Sequence, residues 1–343
     1  MSTSRTRMAL VGTGDWGSNW LRLLARLPDV ELAWVCDVDA ERLKKAAAMA
    51  PSAKATANVD DVLGDPAVRG VVVATSAPTH AGVAEKALRA GKDVLVEKPM
   101  TLSQADADTL AALARQGGRV LMVGHLLVYH PAVEKLKSLI ETGELGDVYY
   151  LCAQRVNLGK VRKDENALWS FAPHDIAVAL HLFGQRPVDV AARGGAYLQP
   201  GIEDVVFLTM RFPDQRLAEV HVSWLDPHKI RKMTLVGSKK MAVFDDMEPS
   251  EKIRIHDKSV QPQGHVSFEQ ALAVRSGDIV IPRIPGGEPL EKECRHFLEC
   301  IATRQSPKTD GAHGALSIHV LEAAQASLKQ NGAPVTLKAF QEV

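Results

Sequence analysis

Short valine-rich runs alternate with amphipathic helical segments through the first third of the chain. The runs are Met8-Ala9-Leu10-Val11, Val30 to Cys36, Arg69 to Thr75, Asp93 to Val96 and Arg119 to Val123; helical patterns between them cover 15–26, 39–50, 78–90 and 103–116. Strands that read as unbroken apolar runs are covered on both faces, so the spacing predicts a parallel, doubly wound α/β sheet over 1–124. From Gly124 the rhythm changes. A helix is predicted over 131–142 and a strand over 147–156, and period-two alternation over 205–212 and 217–224 predicts an antiparallel meander. Two amphipathic helices, over 288–304 and 311–330, close the chain, and Pro and Gly clusters mark 249–287 as mostly loop. The expected organisation is a doubly wound domain over 1–124 followed by an α+β domain with an open, largely antiparallel sheet over 125–343.

Composition narrows the function. The chain has 343 residues, which suggests two domains at the usual ~150 each. Lys+Arg and Asp+Glu both total 41 with no run of five like charges, which argues against nucleic acid or an anionic membrane as partner. No apolar stretch approaches the ~20 residues of a membrane span, and the run Met8 to Val11 is too short for a signal-peptide core. A cytoplasmic protein is expected. Cys36, Cys152, Cys294 and Cys300 lack metal-ligand spacing and read as small buried hydrophobes. His174 and His181 are seven apart on a predicted helix, hence ~10.5 Å apart and unable to share one ion; no metal is predicted.

Gly12-Thr13-Gly14-Asp15-Trp16-Gly17 is a G-x-G-x-x-G after the first strand and at the opening of the first helix. Such glycines permit the tight turn, the approach of a pyrophosphate and close helix–sheet packing, and the helix start offers free amides to the anion. Asp37 lies 20 residues beyond Gly17, where a carboxylate can accept from an adenosine ribose and repel a 2′-phosphate. NAD is therefore expected over NADP. Asp39 suits the bland role of capping the next helix. Farther on, Thr75-Ser76-Ala77-Pro78-Thr79-His80 and Glu97-Lys98-Pro99 follow strands whose ends face the ligand crevice of an open α/β sheet. A lysine there can donate to a substrate hydroxyl; the alternative is an ordinary surface pair of Glu97 and Lys98.

These motifs, with His174-Asp175, resemble the Gfo/Idh/MocA oxidoreductases over nearly the whole chain. The resemblance implies an NAD(P)-binding Rossmann domain, a substrate domain on an open sheet, and a Lys98 that contacts the reacting hydroxyl. The cofactor is then expected against Gly12, Thr13, Gly14, Asp15, Trp16, Gly17, Asp37, Thr75, Ser76, Pro78, His80, Glu97 and Lys98. More narrowly, 124–147, 155–166 and 169–175 are similar to the branch that oxidises the C3 hydroxyl of UDP-N-acetylglucosamine or its uronate; related branches act on inositols and free sugars.

Ala172-Pro173-His174-Asp175 reads as a helix start, with Pro in its first turn. The resemblance makes His174 a base for the hydroxyl proton, a task suited to a near-neutral imidazole; the alternative is a structural histidine. Many family members carry Asp four residues earlier, where this chain has Ser170. Lys160, Arg162 and Lys163 could meet a diphosphate, with Arg162 and Asn166 the favoured substrate ligands beside Lys98 and His174; a solvated loop is the competing reading. A dinucleotide-responsive regulator without turnover is the competing class, which Lys98 and His174 argue against. The apolar alternation of 205–224 suggests a homodimer or homotetramer, because such a face should not stay exposed.

Overall fold

The computed structural model describes residues 5–262 and 272–337; the part of the expected loop 249–287 that spans 263–271, with residues 1–4 and 338–343, lies outside the described residues. The chain divides into two units. One comprises 5–126 with 288–318, the other 127–287 with 319–337 as far as described.

In the first unit β1 (Thr6–Val11), α1 (Gly17–Arg26), β2 (Val30–Cys36), α2 (Ala40–Met49), β3 (Lys54–Thr56), α3 (Val59–Leu63), β4 (Gly70–Val73), α4 (Ala77–Arg89), β5 (Asp93–Glu97), α5 (Gln104–Gln116) and β6 (Leu121–Gly124) follow in order. The strands lie in the order β3-β2-β1-β4-β5-β6, every pairing parallel. The order reverses between β1 and β4, the point at which such sheets open a ligand crevice. All four residues of β4 and all five of β5 are buried, as strands covered on both faces require. Asp39 caps α2 by accepting from the Glu41 and Arg42 amides, each at 3.0 Å. The sequence pattern missed β3 and α3, where short polar segments give no periodicity.

The second unit contains α6 (Pro131–Glu141), β7 (Val148–Val156), α7 (Ala167–Phe183), β8 (Asp189–Gly195), β9 (Val205–Arg211), β10 (Leu217–Ser223), β11 (Ile230–Gly237), β12 (Met241–Asp245), β13 (Ile253–Pro262) and β14 (Leu272–Val280). Its sheet is mixed: β7 and β10 pair in parallel, and the other strand pairings are antiparallel. Two expectations need correction. The stretch 249–287 holds the β13–β14 ladder, whose outer strand exposes Val274 and so lacks the one-sided alternation that marks a half-buried strand. The apolar face of 205–224, with Val206, Leu208, Met210, Ala218, Val220 and Val222, is buried, with α7 packed on β9 and β10.

The closing helices are α8 (Pro289–Thr303) and α9 (Gly311–Lys329), before the short β15 (Val335–Thr336). Unlike the two-segment division expected, α8 belongs to the first unit. Arg304, just past α8, grips the buried Asp93 of β5 with two bonds of 2.7 and 3.0 Å. Thr309 donates its hydroxyl to the Val123 carbonyl at 2.7 Å and accepts the Val123 amide at 2.8 Å, so edge strand β6 is covered rather than open.

Candidate active site

Gly12 turns with φ +93°, and a Cβ there would lie 2.5 Å from the Ala74 carbonyl oxygen of the neighbouring strand's end. A Cβ on Gly17, the first residue of α1, would collide with the Gly12 carbonyl. At Gly14 the nearest atom to such a Cβ is Arg42 Nη1 at 3.4 Å, so this face stays open. Two glycines shape the turn and the third leaves room above the α1 N-terminus, which fits a dinucleotide pyrophosphate.

Asp37, at the end of β2, accepts the Thr13 amide (2.7 Å) and hydroxyl (2.8 Å) on Oδ2 and the Asp39 amide (2.9 Å) on Oδ1. Burial, the strongest single influence, pushes its carboxyl up, but these bonds with the nearby Arg42 charge win and hold it below the usual range. It remains an anionic acceptor that also fixes the loop. Ser76 precedes α4 without a side-chain cap bond, Pro78 lies in its first turn, and the Thr75 hydroxyl accepts from Thr79 at 2.8 Å. His80 differs from expectation: it is buried, with Nδ1 2.8 Å from the Pro99 carbonyl and Nε2 3.0 Å from the Thr75 carbonyl. Each nitrogen faces a backbone carbonyl, to one of which the neutral ring can donate, so His80 packs between two turns rather than facing a ligand. Burial first, then the Lys98 charge, lower its pKa.

Glu97 is also inward-facing. Its Oε1 accepts the Trp16 indole N–H of the glycine loop and the Trp20 indole N–H of α1 (2.6 Å), while Oε2 accepts the Lys98 amide at 3.2 Å. The two tryptophans are four apart, hence on one helical face. The carboxylate expected at the cofactor instead fastens the loop to the turn carrying Lys98. Sequence reasoning missed Glu293 of α8, which is fully buried, with neither carboxylate oxygen hydrogen-bonded among the described residues. Burial, then the Glu97 charge, raise its pKa far above the ordinary carboxyl value, so it holds its proton.

In the second unit, His174 lies well inside α7, not at a helix start. Asn166 provides the start, accepting the Trp169 amide at 3.2 Å, and the helix runs through Pro173. Asn166 spends its amide on Glu203 (2.6 Å) and Gln325 (2.9 Å), which leaves a helix cap in place of the expected substrate ligand. His174 is half-buried and stands one turn beyond the buried Ser170. Asp175 forms a two-bond ion pair with Arg155 of β7, at 2.6 and 2.9 Å, and pins α7 to its sheet.

Arg162, which pairs with the Glu165 carboxylate at 3.5 Å, borders a recess of about 440 Å³ with Lys160, Lys229, Arg231, Asn157 and Phe171. Arg231 lies over the Phe171 ring at 5.2 Å and donates to Asn157 Oδ1 at 2.6 Å. Lys229 and Arg231 escaped the sequence reading because they come from a distant strand and its approach. The recess can hold a multiply charged anion.

A parallel sheet with this strand order and this glycine cradle defines a dinucleotide-binding Rossmann domain. The profile described as "Oxidoreductase family, NAD-binding Rossmann fold" matches residues 6–125, and that of the GFO/IDH/MocA C-terminal domain matches 133–243. The chain belongs to the Gfo/Idh/MocA family. The UDP-N-acetylglucosamine 3-dehydrogenase of Acidithiobacillus ferrooxidans is 28% identical over 329 residues, 94% of this chain and 99% of its own. A solved structure of that dehydrogenase, 26% identical, covers 95% of this chain and 98% of its own with a TM-score of 0.80. A scyllo-inositol 2-dehydrogenase (NAD(+)) of Bacillus subtilis is 23% identical over 350 residues, 97% of this chain and 96% of its own. Among the described residues no helix is long and apolar enough to cross a membrane.

Proposed function

We propose that the protein interconverts a secondary hydroxyl of a sugar and its ketone, and that the sugar is a nucleotide sugar of the UDP-N-acetylhexosamine type reacting at C3. NAD, when bound, supplies the acceptor for the hydride leaving the carbon. Lys98 holds and polarises the hydroxyl, and His174 takes its proton. The observation that carries the dehydrogenase reading is Glu97: bonded at once to the glycine loop and to the Lys98 amide, it gives the lysine a fixed place relative to the cofactor cradle. The basic recess, lined by Lys160, Arg162, Lys229 and Arg231, supports a diphosphate-bearing substrate, with Arg162 as a ligand. An inositol or free sugar is the second reading, favoured by the inositol dehydrogenase among the relatives.

Incubation with NAD and UDP-N-acetylglucosamine, its uronate, free hexoses or inositols, followed by NADH absorbance and mass detection of the ketone, tests the substrate. Turnover confined to free polyols overturns the nucleotide-sugar assignment. Lys98→Met and His174→Ala should each lower turnover by at least ~10²-fold with NAD binding and melting temperature retained. If His174→Ala keeps its activity and pH profile, another group is the base. The apolar face of 205–224 being buried, exposed Tyr150, Phe207 and Leu217 remain as support for a dimer or tetramer, which light scattering decides.

A further inference from the structure

The last residue of β5, Glu97, pairs in register with Gly124, the last residue of β6. Lys98 and His125 therefore leave neighbouring parallel strands, about 4.8 Å apart, one residue beyond a paired position. A Cβ at position 124 would lie 2.9 Å from the Glu97 carboxylate, so glycine is what lets the two strand ends close together. His125 then turns sharply, its amide bonded to the Val123 carbonyl at 2.7 Å.

The ring of His125 is 3% exposed, yet neither nitrogen has a hydrogen-bond partner among the described residues. The His313 ring meets it edge-on at 5.5 Å between centroids. The surroundings are built closely: a Cβ on Gly314 would lie 3.1 Å from the Met100 sulfur, and Thr309 is stitched to β6. A buried donor or acceptor left unmade costs stability, and folding alone gives no reason to keep an imidazole there rather than a leucine. Burial first, then the His313 and Lys98 charges, push its pKa well below the ordinary value, so the ring is neutral and one nitrogen carries a free lone pair.

We propose that His125 is a positioning residue for Lys98: its ring reserves a nitrogen lone pair for the Lys98 ammonium and fixes where that ammonium stands once the dinucleotide is in its cradle. The inference rests on the reading of Lys98 as the group that meets the hydroxyl, but its test needs no substrate. In protein saturated with NAD, acetylation of Lys98 by acetic anhydride is followed by mass spectrometry across pH, with exposed Lys45 as the internal reference. Loss of an acceptor lowers the pKa of an ammonium, so His125→Leu should make Lys98 about tenfold more reactive near neutral pH relative to Lys45. His125→Asn, which keeps an acceptor, should restore most of the protection. The melting temperature of His125→Leu should hold or rise, since an unsatisfied polar ring is removed. Should the leucine variant not fold, His125→Phe carries the same comparison. Unchanged Lys98 reactivity, or increased reactivity in the asparagine variant equal to that in the leucine variant, overturns the inference and leaves the dehydrogenase reading standing; a failed substrate panel leaves this measurement intact.

Discussion

Replacing Glu293 by leucine isolates the cost of a buried acid without a hydrogen-bond partner among the described residues. Both residues are good helix formers, so the change in mid-α8 leaves the backbone preference nearly untouched. Glu293 is 0% exposed and, among the described residues, neither carboxylate oxygen is hydrogen-bonded, which costs about 1–3 kcal/mol by the usual penalty for an unmet buried polar group. A second cost depends on pH. The folded-state pKa is raised above the ordinary 4.5, so the folded form keeps a proton that the unfolded form releases. The stability contributed by this group is fully present below about pH 4 and is lost as pH rises through the raised folded value, at about 1.36 kcal/mol for each pH unit crossed. Glu293→Leu should therefore melt above wild type by a margin that widens from pH 4 to pH 8. At about 2–4 °C per kcal/mol, the first cost alone is worth several degrees. Glu293→Gln should abolish the pH-dependent part and gain little at low pH. Scanning calorimetry across pH is the assay, and a leucine variant that melts lower than wild type at every pH would show that the carboxylate has a partner and that the reasoning is wrong.

Two further perturbations test other parts of the argument. Asp37→Ala removes the acceptor that holds Thr13 while Arg42 stays beside Gly14, so titration calorimetry should show weaker NAD binding and a shift toward NADP; unchanged NAD affinity would remove Asp37 from the cofactor site. Arg155→Ala or Asp175→Ala strands a buried charge and should cost about 3–5 kcal/mol in urea unfolding, whereas the paired change Arg155→Met with Asp175→Leu should cost much less.

What was legible in the sequence was local. The parallel strands announce themselves as apolar runs, the glycine loop by its spacing, and the cap at Asp39 by its place one residue before α2. The strand pattern failed where partners rather than periodicity decide: the β13–β14 ladder exposes Val274 and satisfies its backbone by pairing. Pro173 misled in a different way. Proline most often opens a helix, but Asn166 had already opened this one, and proline's missing N–H merely leaves the Trp169 carbonyl without its helical donor. Asn166, His80 and Glu97 were expected to face ligands, yet each has polar atoms taken by groups the motifs do not show: Glu203 and Gln325 for Asn166, the Pro99 carbonyl for His80, and two indoles for Glu97. Glu293 and Arg231 carried no signal at all, since their meaning comes from neighbours brought by other elements.

Buried polar groups are satisfied to different degrees along the chain, and the contrast between two sets of them bears on where function lies. In the second unit Asp175 meets Arg155 twice, and Asp204 accepts the Tyr197 amide (2.6 Å), the Leu198 amide (2.9 Å) and the Trp224 indole (2.6 Å). These networks are complete, and completeness of that kind serves rigidity. Around the turn that follows β5 the pattern differs: Glu97 is crowded by two indoles and its charge acts on a second acid, Glu293, and among the described residues neither the Glu293 carboxylate nor the His125 ring has a hydrogen-bond partner. Packing alone would favour apolar side chains at both orphaned positions. Natural sequences break the rules of burial where chemistry needs the broken rule. The Lys98 charge acts on both Glu97 and His125, which is a reason, independent of any family likeness, to look for the chemistry at Lys98.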